Sequence, residues 1–387
     1  MRILFRAPAL TLSGYGVHSR QIFEWLNSIP NVEIVSEMLR WGQTTWLVND
    51  KYCKNIENIM STAKEPAGAF DMSVQVQLPD EWNSNAARYN IGVSAFVETD
   101  KCNSKWIEKC NEMDAVIVPS TFTKDIIERS GKVETPIHVI PEWYNPLIEK
   151  SKNDKVRLNL DTDFNFLTVG TLTGFNSADD RKNIFNAIKW FAETFPDNPD
   201  VGLIVKTCSG KGTEIDRKLT QRTFESVMAE VKKGKKYPKI YLLHGTLNES
   251  EIASLYKHKN VNAFLLPTRG EGYGLPLVES AAAGLPIITT GYSGHMDFLK
   301  EELIQSIDYE LIKIPKSRVD NRIFIQGCRW ADPSESDTKE KMLGVYNNYN
   351  KYKKNAIILQ KHIRNNYSKK HILQKYFNFY NLIKEEC

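Results

Sequence analysis

Cysteine is scarce in this chain, and the few cysteines show no pattern of a metal site or a disulfide framework. The 387 residues include six cysteines and seven histidines, with no C-x-x-C pair and no histidine cluster beside them. The cysteines are Cys53, Cys102, Cys110, Cys208, Cys328 and Cys387. We therefore expect neither bound metal nor disulfides, and we expect the reduced thiols of a cytoplasmic protein.

Long apolar runs are also absent. No run approaches the roughly 20 residues that a membrane-spanning helix needs. The first residues, MRILFRAPALTLSGYG, do not resemble a secretory signal, because their apolar stretch is short and Arg6 interrupts it. We expect a cytoplasmic protein without a transmembrane segment, whose sequence opens on a core strand.

The chain has little net charge, but the charge is unevenly distributed. From Lys351 to Cys387 there are nine Lys/Arg and two acids, which gives +7, whereas the other residues have 42 Lys/Arg and 45 acids, which gives −3. Aromatic residues are interleaved with these lysines. The pattern predicts an amphipathic terminal helix with a solvated lysine face, and a surface for nucleic acid or anionic lipid is the alternative.

Strand and helix patterns alternate along the chain, and 387 residues are enough for two domains. Short apolar or β-branched runs separated by helical segments predict parallel sheets covered on both faces. The predicted strands are 3–5, 32–35, 73–77, 90–96, 115–118, 137–139, 164–169, 201–207, 240–243, 263–266 and 286–289. A polar stretch at 149–155 interrupts this pattern and predicts an interdomain linker.

The most informative segment runs from Pro267 to Leu299 and reads PTRGEGYGLPLVESAAAGLPIITTGYSGHMDFL. It predicts a strand, a glycine-rich turn, a helix over Leu277–Ala283, a second turn and a strand. The helix start offers an anion site, because the first helical N–H groups have no partner within the helix. Glu271 precedes the turn, and Glu279 lies early enough in the helix to reach hydroxyls beside the anion. A nucleotide sugar combines such a phosphate with such hydroxyls.

The runs EGYGLPLVE, AAAGLPIITT and SGHMDFL, in this order, resemble the donor site of retaining glycosyltransferases of the GT-B fold, in particular glycosyltransferase family 4. Three further runs resemble the same family: VIVPSTFTKDII, HVIPEWYNP and GCRWADPS. The resemblance implies an α/β protein with two Rossmann-like domains whose parallel sheets face across a cleft. It implies an acceptor-binding domain at 1–150, a donor-binding domain at 156–345, and a helical segment at 346–387 that crosses back to the first domain.

The resemblance also implies which residues act on the donor. Lys182 takes the place of the family's diphosphate-binding lysine, with Arg181 beside it. Thr171 stands where the family commonly has an arginine, just after the glycine that matches Gly170, and we expect Arg181 to take that role. Two positive charges at a helix start oppose the helix dipole, so we also expect an anion close to them.

Glu271 is expected to contact the sugar and Glu279 the ribose. Glu98 is the expected carboxylate of the first domain near the reacting centre, and His18 is either close to the cleft or an ordinary surface histidine. The donor-binding residues implied by the resemblance are Gly14, Gly16, Thr171, Gly245, Leu247, Gly272, Tyr273, Gly274, Leu275 and Glu279.

The sequence therefore predicts a retaining hexosyl- or pentosyltransferase that needs no metal or other cofactor. A UDP-sugar is the default donor, and a glycan or lipid-linked glycan is the expected acceptor. The alternatives are a phage-type enzyme that modifies hydroxymethylated bases in DNA and a non-catalytic nucleotide-sugar-binding scaffold. Asp161-Thr162-Asp163 resembles a metal-binding D-x-D motif, but it directly precedes a predicted strand and so predicts a turn.

Overall fold

The chain divides into two units in the computed structural model, which describes residues 1–42, 44–151, 155–174, 176–208, 210, 212–232, 234 and 236–387. The first unit contains Met1–Trp143, Asp320–Cys328 and Asn366–Cys387, and the second contains Tyr144–Val319 and Arg329–Asn365. Within the linker predicted at 149–155, positions 152–154 lie outside the described residues.

The first unit is built on a six-stranded parallel sheet in the order β2-β1-β3-β4-β5-β6. The strands are β1 Arg2–Ala7, β2 Glu33–Met38, β3 Met72–Val76, β4 Tyr89–Val93, β5 Ala115–Val118 and β6 Ile137–Val139. Every residue of β3, β4 and β5 is buried. The central strands are covered on both faces, which is why their sequences read as nearly continuous apolar runs.

Five helices belong to the first unit. They are α1 Gly14–Leu26, α2 Ile56–Ser61, α3 Ser104–Asn111, α4 Thr121–Ser130 and α12 Lys369–Ile383. The side chain of Ser13 caps α1 by accepting from the Gly16 N–H at 2.9 Å. The last helix packs on α1, where Tyr376 stacks on Trp25 with 4.9 Å between the ring centroids. The end of the chain thus returns to the first unit.

The second unit has its own six-stranded parallel sheet in the order β12-β11-β10-β7-β8-β9. Its strands are β7 Phe164–Val169, β8 Val201–Thr207, β9 Lys239–His244, β10 Ala263–Leu266, β11 Ile287–Thr290 and β12 Gln305–Ile307. A separate antiparallel pair joins β13 Tyr309–Lys313 to β14 Arg329–Pro333. The sequence analysis missed β12, β13 and β14, because these short strands are partly exposed and carry polar residues.

The helices of the second unit are α5 Leu147–Lys150, α6 Ile184–Thr194, α7 Glu214–Lys232, α8 Glu249–Tyr256, α9 Leu275–Ala283, α10 Glu335–Asn347 and α11 Tyr349–Asn366. A capping box begins α8, since Asn248 and Glu251 each bind the other's backbone N–H. Gly284 ends α9 with a φ of +78°. The helical segment predicted at 346–387 therefore contains two long helices, α11 and α12. Of these, α11 belongs to the second unit apart from its last residue.

The strand orders place a crevice in each unit. β1 lies between β2 and β3, and β7 lies between β8 and β10. At such a point the loops that leave neighbouring strands run to opposite faces of the sheet, so ligands bind outside the carboxyl ends of these strands.

The structure gives the state of the cysteines and the arrangement of possible metal ligands and apolar helices. The six cysteines are thiols and are not joined in disulfides. Among the described residues, no group of three or more His, Cys, Asp or Glu side chains is arranged to hold a metal ion. Over the same part of the chain, no helix is both long and apolar enough to cross a bilayer.

Candidate active site

A buried ion pair forms where the loops after β7 and β10 meet. Lys182 Nζ donates to Glu271 Oε2 at 2.5 Å, and Arg181 Nη1 lies 3.8 Å from Glu271 Oε1. The Arg181 guanidinium also donates to the Gly270 carbonyl at 2.6 Å. Glu271 is only 4% exposed. The anion expected beside the two basic residues is thus the carboxylate of Glu271.

Glu271 is held as a carboxylate by its surroundings. Burial opposes its ionisation, but the positive charges of Lys182 and Arg181 outweigh burial and lower the pKa of Glu271 to about 2. Thr268 Oγ1 donates to Glu271 Oε1 at 2.9 Å, and the backbone N–H of Glu271 donates to Ser293 Oγ at 2.8 Å. Both the charge and the position of this carboxylate are therefore fixed.

A second carboxylate shapes the turn that carries the two cations. Asp180 accepts from Thr173 Oγ1 at 2.7 Å and from the Ile184 N–H at 2.7 Å. The expectation that Arg181 and Lys182 open the helix is wrong, because α6 begins at Ile184 and Asp180 takes one of its first N–H groups. The basic side chains stand in the preceding turn and so can reach Glu271. Position 175, in the same loop, lies outside the described residues.

The glycine-rich turn leads directly into α9. Gly274 is the N-cap residue with a φ of +106°, and as a glycine it has no side chain that could cap the helix. A Cβ at this position would lie 3.1 Å from the Cβ of His295, so both the conformation and the space favour glycine. The helix begins at Leu275, two residues earlier than predicted. Gly272 and Tyr273 are buried in the turn.

Glu279 lies on α9 in an environment that disfavours its charge. The Asn145 backbone N–H binds its carboxylate, and the Tyr256 side chain lies beside it. Burial outweighs the Asn145 hydrogen bond and raises the pKa of Glu279 to about 7. The two glutamates of the predicted donor site therefore differ, with Glu271 ionised and Glu279 half-protonated near neutral pH.

This difference predicts a pH-dependent affinity for nucleotide sugars. If Glu279 binds the ribose, as the resemblance implies, the hydroxyls donate to its ionised form, so donor binding should strengthen as the pH rises through about 7. Titration calorimetry between pH 5.5 and 8.5, with a UDP-sugar as the probe, should show this rise in the wild type and a flat profile in Glu279→Gln. A wild-type profile that is also flat would remove Glu279 from the ribose site.

The loop of Gly245 and Leu247, which the resemblance assigns to donor binding, is supported by a lysine that the sequence pattern did not single out. Lys206, at the end of β8, is 8% exposed, and its Nζ donates to the Gly245 carbonyl at 2.5 Å. Burial lowers its pKa. Gly245 has a φ of +107°, and Leu247 directly precedes the Asn248 cap of α8. The available signal was a charged residue within the apolar strand VGLIVKT.

Other predicted donor residues are not members of the Glu271 ion pair. Thr171 is exposed on the loop after Gly170. Gly14 and Gly16 lie at the start of α1 in the first unit. A Cβ on Gly16 would stand 2.1 Å from the Thr11 carbonyl oxygen, whereas a Cβ on Gly14 would meet no atom within 4 Å. Packing within its own turn is thus sufficient reason for glycine at position 16.

The two other predicted residues of the first unit lie on the loop after β4 and on α1. Glu98 is half-buried in the loop after β4, and its charge adds to the effect of burial in raising the pKa of Tyr15. The expectation of a surface histidine at position 18 is wrong, because His18 is 3% exposed and its Nε2 lies 3.1 Å from the Tyr376 hydroxyl. Burial lowers the pKa of His18 to about 4. Its contact with Tyr376 helps to fix α12 on α1.

Two further residues support the Glu271 turn. His295 is fully buried, its Nε2 lies 2.7 Å from the Thr290 carbonyl, and burial lowers its pKa. Arg269 pairs with Asp332 and lies over the Trp330 ring, 5.5 Å from its centroid. The sequence signals were the SGHMDFL and GCRWADPS runs, whose side chains the sequence could not place in space.

Part of the chain is similar in sequence to a known protein family. Residues 171–307 match the sequence model of the family described as Glycosyl transferases group 1. The matched stretch contains the turn of Arg181 and Lys182, the Glu271 turn and α9. No protein of curated function matches the chain significantly.

Solved structures resemble the chain over most of its length. Sucrose-phosphate synthase from Thermosynechococcus elongatus is 12% identical with a TM-score of 0.66, and all of both chains is covered. The pneumococcal O-GlcNAc transferase GtfA, in complex with UDP and GlcNAc, is 16% identical with a TM-score of 0.53 over 81% of this chain and 57% of GtfA. A mutant of S. aureus TarM, in complex with fondaparinux, α-GlcNAc-glycerol and UDP, is 15% identical with a TM-score of 0.52 over 80% of this chain and 55% of TarM.

These likenesses show the fold of the chain. It spans a little over half the length of GtfA and TarM and the whole length of sucrose-phosphate synthase. The prediction of an α/β protein of the GT-B fold is confirmed, and the structure has two parallel six-stranded sheets.

Proposed function

We propose that this protein is a retaining, metal-independent glycosyltransferase that moves a sugar from a UDP-sugar to a hydroxyl of a glycan or lipid-linked glycan. The observation that carries the proposal is the cluster of Lys182, Arg181 and the buried Glu271 next to the start of α9, where the N-cap residue Gly274 has no side chain. The second unit binds the donor, and the first unit binds the acceptor.

The cluster suits a diphosphate leaving group. Lys182 and Arg181 are fixed by the turn of Asp180 and by Glu271, so they need little rearrangement to meet phosphate oxygens. In a buried site, such fixed positive charges stabilise the negative charge that develops on a departing diphosphate. Entry of the diphosphate would move Lys182 from Glu271 toward a phosphate oxygen, which would leave the carboxylate to accept hydroxyls of the sugar.

The transfer itself needs one bond to break and one to form. The bond from the anomeric carbon to the diphosphate oxygen breaks, and the acceptor oxygen bonds to that carbon on the same face. The acceptor proton passes to the departing phosphate oxygen, so UDP leaves as the protonated product. Glu98 is the first-unit carboxylate that we assign near the reacting centre. The predicted retention would appear in the anomeric configuration of the product, measured by NMR.

The structure offers less support for DNA as the acceptor than the charge of the tail suggested. Three of the basic side chains bind groups of the protein itself. Lys353 and Arg364 donate to the carbonyls that end α9, at 2.6 and 3.0 Å, and Lys369 pairs with Glu24. The hypothesis of a non-catalytic scaffold depends only on Thr171, which stands where the family commonly has an arginine. Arg181 already supplies a guanidinium next to Glu271.

Donor binding tests the proposal directly. We expect one of UDP-, GDP-, ADP- and dTDP-glucose to raise the thermal unfolding temperature by a few degrees when present at about 100 times its Kd. The shift should disappear in Glu279→Ala and Lys182→Ala. Lys189→Ala is the matched control, because Lys189 stands on the exposed side of α6. No shift with any of the four sugars, or an unchanged shift in both site variants, would refute the proposed donor site.

A further inference from the structure

A cavity of about 220 Å³ lies at the carboxyl edge of the first unit's sheet. Its lining includes Pro8, Leu39, Arg40, Trp41, Gln77 and Glu81, which follow β1, β2 and β3. β1 lies between β2 and β3, so the cavity occupies the point where the strand order reverses and where ligands of open α/β sheets bind. None of the residues assigned above to donor binding lines it.

Gln77 is the lining residue that indicates a ligand. It directly follows β3 and is only 5% exposed, yet its side-chain oxygen has no hydrogen-bond partner among the described residues. Buried polar groups of native proteins are nearly always paired. Rotation of the amide exchanges its oxygen and nitrogen, so Gln77 can offer either an acceptor or a donor to a group in the cavity. A hydroxyl satisfies either orientation, because it both donates and accepts.

Trp41 gives the cavity a rigid aromatic wall. Its ring stacks on Tyr15 with 3.8 Å between the ring centroids and an interplanar angle of 21°. Tyr15 is anchored in turn, since its hydroxyl lies 2.9 Å from Ser94 Oγ and accepts from the Ala95 N–H at 3.0 Å. An aromatic surface flanked by hydrogen-bonding groups matches a sugar ring, which has an apolar face of C–H bonds and a rim of hydroxyls.

The charges near the cavity favour a neutral ligand. The guanidinium of Arg322 donates to Glu81 at 2.6 Å and to Asp80 at 2.6 Å. With Arg40, this region holds two cations and two carboxylates, so its charges cancel. Nucleic acid requires an excess of positive charge, whereas the Glu81 carboxylate can accept hydrogen bonds from sugar hydroxyls.

The size of the cavity limits what it can hold. Its volume of about 220 Å³ is below the roughly 300–1,000 Å³ of pockets for drug-sized ligands. A single sugar residue suits this volume, and the rest of a longer glycan would stay outside it.

The geometry points to a subsite in this cavity for one neutral sugar residue of the acceptor, with the ring against Trp41 and the hydroxyls bound by Gln77 and Glu81. The assignment of this sugar to the acceptor rests on the proposed function, but the binding of a sugar in the first unit does not. Since the donor is assigned to the second unit, this sugar should bind in the absence of any nucleotide.

Saturation-transfer NMR on the full chain without nucleotide tests the subsite. The probes are the methyl and octyl glycosides of glucose, galactose, mannose and N-acetylglucosamine. We expect at least one sugar to bind, and we expect Gln77→Leu to weaken it by roughly tenfold, the loss of about one hydrogen bond's worth of affinity. Trp41→Leu should abolish the signal. Trp46→Leu is the matched control, because Trp46 is a nearby, exposed tryptophan outside the lining.

Thermal unfolding separates a ligand-binding glutamine from a structural one. Gln77→Leu removes an unpaired buried oxygen, so its unfolding temperature should equal or exceed that of the wild type while sugar binding falls. Tighter binding of the octyl than of the methyl glycoside would identify a lipid-linked sugar, and equal binding a free glycan.

The subsite is overturned if no glycoside binds, if binding survives in both Gln77→Leu and Trp41→Leu, or if 5-hydroxymethylcytidine binds in place of the sugars. The donor thermal shift is measured separately on the same variants and should be unchanged. If no donor binds, the sugar-binding result therefore still holds. If no sugar binds, the donor-binding result still holds.

Discussion

Replacing Lys182 with methionine should lower the rate of sugar transfer by about 100- to 1,000-fold, the loss seen when one preorganised charge-stabilising donor is removed. The change should appear in kcat, because the diphosphate gains charge only as its bond to the sugar breaks. The measurement is steady-state transfer with the donor found by thermal shift. Lys189→Met, on the exposed side of α6, the helix that follows the turn of Lys182, should keep the wild-type rate.

The same substitution should also destabilise the fold, and a double variant separates the two effects. Without Lys182 the buried Glu271 carboxylate loses its closest cation, which costs about 3–5 kcal/mol. Lys182→Met with Glu271→Gln removes both charges and should recover most of this stability without recovering activity. If Lys182→Met transfers sugar at the wild-type rate, Lys182 does not stabilise the leaving diphosphate.

The sign of the pH effect follows from the lowered pKa of Glu271. Its ordinary value is 4.5 and its value in the fold is about 2. The ion pair therefore stabilises the wild type above pH 4.5, and this contribution is lost as the pH falls toward 2. In the double variant, which has no carboxylate at 271, stability should depend less on pH over this range.

Gly16→Ala should destabilise the first unit by about 3 kcal/mol, at the upper end of what overpacking usually costs. The added Cβ would stand 2.1 Å from the Thr11 carbonyl oxygen and 2.7 Å from the Thr11 hydroxyl. The Thr11 backbone cannot easily relieve this clash, because it cannot rotate away as a long side chain can. Urea unfolding, followed by circular dichroism, measures the loss.

Gly14→Ala is the matched control for this prediction. It lies two residues earlier in the same helix, and its Cβ would meet no atom within 4 Å, so stability should stay within about 0.5 kcal/mol of the wild type. If Gly14 lets the backbone approach the donor, Gly14→Ala should weaken the UDP-sugar thermal shift at unchanged stability. Equal stability of the two variants would mean that the turn relaxes and that the glycine at position 16 has another cause.

Strand and helix order could be read from the sequence because buried parallel strands need apolar, β-branched runs. β5, β7, β8 and β10 occur at the predicted bounds. Two helix ends also follow from local capping residues, since the Asn248 capping box starts α8 and Gly284 ends α9. These features depend on interactions between residues that are close in sequence.

The order of strands in each sheet was beyond the sequence. Alternating strands and helices do not state which strands are neighbours, and the crevices depend on β1 lying between β2 and β3 and on β7 lying between β8 and β10. The same limit applied to α11 and α12, which read as one basic segment. They divide between the two units because α12 buries Tyr376 and Phe379 against Trp25, a contact between residues about 350 positions apart.

The sequence by itself determined the composition of the proposed donor site, which is two basic residues, two glutamates and a glycine-rich turn before a helix. Only the tertiary structure decided how they are paired. Glu271 lies against Lys182 and is ionised, whereas Glu279 lies near Tyr256 and Asn145 and is partly neutral. The physical reason is that the pKa of a buried carboxylate depends on which charges and dipoles fall within a few ångströms, and residues 89 positions apart meet only when β7 and β10 pair.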